Sequence, residues 1–343
     1  MNRINVLFLA VIGLVVALLL VQYLAKARED SRSVLCQERL RKLGEATKEY
    51  QTNVGHLPPG TLGQPDGVAA EKWYEQNSPE SWRRVPNTSA FGFVLPYLEG
   101  TVNGLPASSL EFGAIELDWT SYSQNLVDGG AATKSEPQLL CPADVDVVQN
   151  PARQLVCATQ PVTPPATPTE QVANDDFGIQ LWNGAKPLAA SNFLANGGVT
   201  GGLCNVPDSK AAPLMGPMRS RSKTTSAAIK DGESRTLLYG ETIGRVFEGN
   251  RSQMVAWSLG GIGVIRGDFP AENVLVLEKF KSATFLGNAT NSSVRGFGSY
   301  HRNGVNFVMV GGEFGVQSRN IDPIVLFALS GISDGEVQPA AKE

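Results

Sequence analysis

The sequence predicts an α+β protein: a long N-terminal helix, transmembrane in its first half, packs its second half on an antiparallel β-sheet head with long loops. Three observations predict it. Residues 6–25 (VLFLAVIGLVVALLLVQYLA) carry no charged side chain. Cys36, Leu40, Leu43, Thr47 and Tyr50 then recur at three- and four-residue steps, the spacing of one helical face. The second half of the chain breaks into short β-type runs punctuated by Gly and Asn.

The helix comes first. About 20 apolar residues rise about 30 Å, the thickness of a hydrocarbon core. Residues 26–32 (KAREDSR) contain neither Gly nor Pro, so nothing stops the helix at the membrane edge. The firm stop is Asn53-Val54-Gly55, with Pro58 and Pro59 beyond. The expected organisation is a short cytoplasmic N-terminus (1–5), a span (6–25), a helical continuation (26–53) and an extracytoplasmic head (54–343). A cleaved secretory signal is the alternative, because Ala25 and Ala27 offer an Ala-x-Ala site; the apolar run exceeds the ~7–15 residues of a signal core. Arg3 precedes the span and Lys26, Arg28 and Arg32 follow it, so flanking charge does not orient the chain.

A net charge of −4 over 343 residues excludes an electrostatic case for nucleic acid. Cys36, Cys141, Cys157 and Cys204 all follow the span. An even count on a translocated chain predicts two disulfides with the pairing open; a cytosolic head would leave four free thiols. No C-x-x-C occurs and only two His are present, so neither a zinc site nor any cofactor is expected.

Within the head, residues 54–72 read as loop, and 91–98 (FGFVLPYL) as a short apolar run in which Pro96 limits regular structure. Residues 139–142 (LLCP) end a short strand, and 161–169 (PVTPPATPT) form an extended surface loop. Residues 236–239, 253–257, 262–265 and 274–277 are β-type runs. VNFVMV and EFGVQ flank Gly311-Gly312, which predicts a two-residue type I′ hairpin.

Each chemical candidate has a plainer reading. His301 beside Ser299 and Tyr300 could activate a nucleophile, but no G-x-S-x-G elbow and no obvious orienting carboxylate accompany it. It reads as a His bonding the backbone at a strand entry, and no enzyme is expected. Asp231, Glu233, Glu241 and Asp268 could collect around Ca²⁺, but a D-x-D-x-D-G loop is missing, and Asp231-Gly232 is most simply a turn. Trp73, Tyr74, Trp82, Trp119 and Trp182 could line a sugar or peptide groove, or fill a core.

Several stretches resemble a planctomycete family of unknown function, the DUF1559 type, with a prepilin-like N-terminal helix and a C-terminal H-x9-D-G signature. Cys36-Gln-Glu-Arg-Leu-Arg-Lys-Leu-Gly44 is similar to its C-K-N-N-L-K-Q-L-G. Leu95-Pro-Tyr-Leu-Glu99, Leu140-Cys-Pro-Ala-Asp144, Ser191-Asn192-Phe193 and residues 229–241 (IKDGESRTLLYGE) resemble further motifs in the family's order. His301 opens the terminal signature, with Gly311 where the family has Asp, followed by Gly312. The family's Gly-Phe-Thr-Leu-Ile-Glu leader has no counterpart in Asn2-Arg3-Ile4-Asn5-Val6. The resemblance implies a pilin-like helix and a head outside the cytoplasm. It also suggests Cys36 with Cys141, since both lie in family-like motifs, which leaves Cys157 with Cys204. The expected function is a membrane-anchored structural or interaction protein of pseudopilin type, with self or pilin-like partners. An anchored carbohydrate- or peptide-binding module is the alternative.

Overall fold

The computed structural model describes residues 3–61, 89–99, 101–102, 105–106, 135–144, 153–157, 179–181, 188–198, 215–219, 222–256, 262–263, 286–289, 291–292 and 296–333. Helix α1 (Arg3–Val54) is continuous through the apolar run and ends where Asn53-Val54-Gly55 predicts. Its 52 residues extend about 78 Å. Its surroundings change abruptly: Val34 and Leu35 are 60% and 51% exposed, whereas Cys36, Leu40, Leu43 and Thr47 are fully buried and Tyr50 nearly so. All five positions of the predicted face are therefore the packed ones.

The chain continues through α2 (Ala90–Glu99), β1 (Thr101–Val102), β2 (Leu105–Pro106), a 3-10 turn (Pro137–Leu139), β3 (Arg153–Cys157), β4 (Ile179–Leu181), β5 (Ala190–Ser191) and β6 (Phe193–Asn196). Then come β7 (Leu237–Glu241), β8 (Arg245–Phe247), β9 (Asn250–Ala256), β10 (Ile262–Gly263), β11 (Asn291–Ser292), β12 (Val305–Met309), β13 (Phe314–Gln317) and α3 (Pro323–Ser330). One sheet has the order β10-β6-β7-β12-β13; another has β11-β8-β9-β3-β4, with β5 also paired to β9. The α+β class is as predicted. The pairing is mainly antiparallel, but β10–β6 and β3–β9 run parallel.

The first sheet is covered on both faces. Val305, Phe307 and Met309 of β12 pack with Leu326 and Phe327 of α3. Val308 and Val310 turn the other way and pack with Cys36, Leu40 and Leu43 of α1. Two buried faces explain why VNFVMV is apolar at every position except Asn306 and does not alternate between polar and apolar. Gly44 lets the helix approach the sheet: a methyl group on it would lie 2.9 Å from Val308 Cγ2. One turn on, Thr47 Oγ1 is hydrogen-bonded to the Tyr239 hydroxyl of β7 at 2.8 Å, and Tyr239 stacks on Phe91 with ring centroids 5.7 Å apart.

Three local expectations are corrected. Residues 91–98 are helical in spite of Pro96; full burial of Phe91 and Val94, and edge contacts of Phe93 and Tyr97 with Tyr50, outweigh the local propensity. Residues 139–142 do not end a strand, because the Pro137–Leu139 turn leads into a single extended residue, Leu140. The β12–β13 hairpin is not a two-residue type I′ turn. Gly312 N donates to Met309 O at 3.0 Å and Met309 N to Glu313 O at 2.8 Å, and of the glycine pair Gly312 carries the positive φ, 96°. This is a three-residue loop, a type I turn closed by a left-handed residue. Strands β7, β9 and β10 lie on the predicted runs 236–239, 253–257 and 262–265, of which residues 257 and 264–265, like 161–169 and 274–277, lie outside the described residues.

Two stability predictions follow from these contacts. Gly44→Val should destabilise the head by ~1–3 kcal/mol through overpacking against Val308. Gly312→Val should cost ~1–2 kcal/mol for backbone strain alone, whereas Gly311→Asp, at a position without positive φ, meets only the carboxylate end of the exposed Glu313 side chain, which must swing aside, and should cost less than Gly312→Val. Thermal melts of each variant decide, and a Gly312→Val melt matching the parent would contradict the turn assignment.

Candidate functional site

Four segments far apart in sequence bring one ionisable side chain each to a single point. α1 supplies Cys36, the segment after the Pro137–Leu139 turn supplies Cys141, the end of β7 supplies Glu241, and the loop before β12 supplies His301. Cys36 Sγ donates to Glu241 Oε1 at 2.5 Å, and Cys141 Sγ lies 3.8 Å from the same oxygen. His301 Nε2 is 3.4 Å from Cys141 Sγ and 3.3 Å from Glu241 Oε1. The four donor atoms all lie within 4.8 Å of one another. Cys36, Glu241 and His301 are at most 2% exposed and Cys141 7%, so the cluster is enclosed by protein.

A surrounding layer orients these groups. Glu29, two helical turns before Cys36, reaches His301 Nδ1 with its Oε1 at 2.8 Å. Asn306 clamps both oxygens of Glu241, its backbone N–H to Oε2 and its Nδ2 to Oε1, each at 2.9 Å. Asn192 Oδ1 accepts from the Cys141 N–H at 2.8 Å, while its Nδ2 donates to Asp144 Oδ2 at 2.6 Å. Asp144 in turn holds Arg251 in a buried ion pair at 2.6 Å. Arg39 on α1 donates to Leu140 O, and Arg319 donates to the carbonyls of Ser299 and His301. The loops carrying Cys141 and His301 are thereby fixed to the helix and the sheet.

Burial alone would lower the His301 pKa, but hydrogen bonds to Cys141 and Glu241 and their charge outweigh it, and the pKa rises to about 11. Burial alone would raise Glu241; the hydrogen bond and charge of His301 reverse that and hold it below the usual carboxylate value. Cys36 is raised, first by burial and then by Cys141 and Glu241. Cys141 is lowered, chiefly by its hydrogen bond with Cys36 and then by His301, against the opposing effect of burial. Without a metal, then, the cluster is an imidazolium between carboxylates, beside one reluctant thiol and one willing one.

The carboxylates that seemed missing around His301 are Glu241 and Glu29, and its ring meets side chains and not the backbone. Cys36 and Cys141 stand together as the family-like motifs suggest, but both are free thiols. β3 ends at Cys157; Cys204, Trp73, Tyr74, Trp82, Trp119, Trp182 and Asp268 lie outside the described residues. Glu241 is committed to this cluster, so it does not join Asp231 and Glu233 in a Ca²⁺ site; Asp231-Gly232 forms the expected turn. Gly311 and Gly312 belong to the hairpin and not to the cluster. Spacing rules missed the donor set because each donor comes from a different segment. The available signal was a lone polar residue ending or interrupting an apolar run, as in LLYGE.

The family model described as a protein of unknown function (DUF1559) matches residues 25–324. The chain belongs to the DUF1559 family. No curated protein and no solved structure matches it. In this DUF1559 chain the family-like motifs, scattered over more than 250 residues of sequence, put Cys36, Cys141, Asp144, Asn192, Glu241 and His301 around one centre.

A pH titration tests the charge assignment. His301 holds its proton more tightly folded than unfolded, so its contribution to stability is complete below about pH 6.5. That contribution is lost as pH rises through about 11. Cys36 acts in the same direction and Cys141 against it. In reductant and chelator, the melting temperature should therefore fall as pH rises from 6.5 to 9.5, and His301→Gln should flatten the slope. Melts of the parent that do not change over this range would refute it.

Proposed function

We propose that this DUF1559 protein is a membrane-anchored head whose role is structural or interactive, similar to that of a pseudopilin. The observation that carries this reading is the division of α1. From Ile4 to Leu35 its described large apolar side chains stand exposed, and from Cys36 onward one face is buried in the head. A segment with a mean hydropathy of 2.1 and nothing packed on it needs lipid or other helices around it. Glu29 lies only four residues beyond Ala25, roughly 6 Å along the axis, so the head begins at the bilayer surface. The helix is one rigid rod from lipid into the sheet, and movement of the head is therefore coupled to packing of the span.

The enclosure of the Cys–Cys–Glu–His cluster supports a structural centre over a catalytic one, because a substrate must reach its nucleophile. The head is assigned to the outside of the cytoplasm on the family resemblance.

Fractionation of cells with protease treatment tests both parts. The full-length protein should stay with membranes through a carbonate wash, leave with detergent, and lose its head to protease added to intact spheroplasts. Release of the whole chain by carbonate, or of a chain beginning after residue 25 into the soluble fraction, would overturn the anchor. A head cleaved only after lysis would overturn the topology.

A further inference from the structure

We propose that Cys36, Cys141, Glu241 and His301 bind one Zn²⁺, which locks the stem helix to the head. The donor chemistry fits: cysteine sulfur, imidazole nitrogen and carboxylate oxygen are all zinc ligands, and two Cys with one His make up three of the four ligands of a Cys2His2 structural site, with Glu241 in the fourth place. The geometry fits as well. Tetrahedral bonds of about 2.0–2.3 Å set neighbouring donors roughly 3.3–3.8 Å apart. Of the six donor separations, three are 3.3, 3.4 and 3.8 Å, and none exceeds 4.8 Å. The shorter Cys36–Glu241 contact, 2.5 Å, is a thiol–carboxylate hydrogen bond. Once the thiol proton is displaced, two negative atoms face each other there and separate toward the tetrahedral edge.

The surrounding layer has the form that a metal-bound His requires. A ligating His commonly presents one ring nitrogen to the metal and donates the other N–H to a carboxylate, which fixes the tautomer. His301 presents Nε2 to the cluster and Nδ1 to Glu29. Asn306 holds both oxygens of Glu241, and Oε1 is the one that lies beside the sulfurs. Two thiolates, one carboxylate and a neutral imidazole carry −3, which Zn²⁺ reduces to −1. The thiol protons, and the imidazolium proton where His301 holds one, go to solvent on binding. The Arg319 guanidinium, donating to the His301 carbonyl, adds a fixed positive charge alongside.

The position gives the site its purpose. Cys36 is the first fully buried residue after the exposed stretch of α1, and Cys141, Glu241 and His301 come from three separate parts of the head. One ion therefore joins the stem to all of them close to the membrane.

Full-length protein in detergent, kept reduced, provides the test. It should contain about one Zn²⁺ per chain. Chelation should lower its melting temperature and Zn²⁺ should restore it. Co²⁺ should give tetrahedral d–d bands with a thiolate charge-transfer band, and Cys36→Ser should weaken that band. Glu29→Gln leaves every ligand in place at a partly exposed position; it should keep the fold and the cobalt spectrum and bind Zn²⁺ some 10–100-fold more weakly. Should Cys36→Ser fail to fold, the parent titration and Glu29→Gln still decide. A folded, reduced parent that takes up no stoichiometric Zn²⁺ overturns the proposal, as does a Cys36–Cys141 disulfide that persists as the native form. An unchanged affinity in Glu29→Gln overturns the role of Glu29.

Discussion

The head rests on one contact, the face of α1 that changes from exposed to buried at Cys36. Leu40, Leu43 and Thr47 on that face meet β7 and β12, and each fully buried Leu contributes ~1.5–3 kcal/mol relative to exposure. The close seating at Gly44 brings the helix axis near enough for Thr47 to reach the Tyr239 hydroxyl. The central strands then have no solvent face, so both sides of β12 must be apolar, and α3 covers what α1 does not. A shift of the helix along its axis would disturb the sheet, the aromatic stack on Phe91 and the donor cluster together.

The same contact creates an electrostatic problem and its solution. Seating Cys36 against the end of β7 encloses the Glu241 carboxylate, and an isolated buried carboxylate is costly. Asn306 supplies two hydrogen bonds to it, and Cys36 and His301 complete its surroundings. His301 in turn meets a second carboxylate, Glu29, from the stem helix. The chain thus builds a polar interior point where the stem enters the head. Thiols, an imidazole and a carboxylate meeting at such a point are the donor types that the proposed zinc site uses.

The apolar half of α1 and the head are mechanically continuous in this arrangement. α1 has no break between the apolar span and the sheet, and Arg39 and Glu29 extend its hold to the loops bearing Cys141 and His301.

The sequence by itself determined the long helix, its end at Val54 and its buried face, because apolar length and three-to-four periodicity are local properties of a chain. The same holds for β7, β9 and the β12–β13 hairpin, whose apolar runs and glycines are contiguous. Turn type was less legible: Gly-Gly suits type I′, and only the pairing of Met309 with Glu313 decided for a three-residue loop. Pro96 concealed α2, whose helix depends on burial of Phe91 and Val94 against α1. The cluster could be decided only by the tertiary structure. Its four donors stand up to 265 residues apart, one to a segment, and neither helical periodicity nor motif spacing relates residues that meet only when a helix, a turn, a strand end and a loop are packed together.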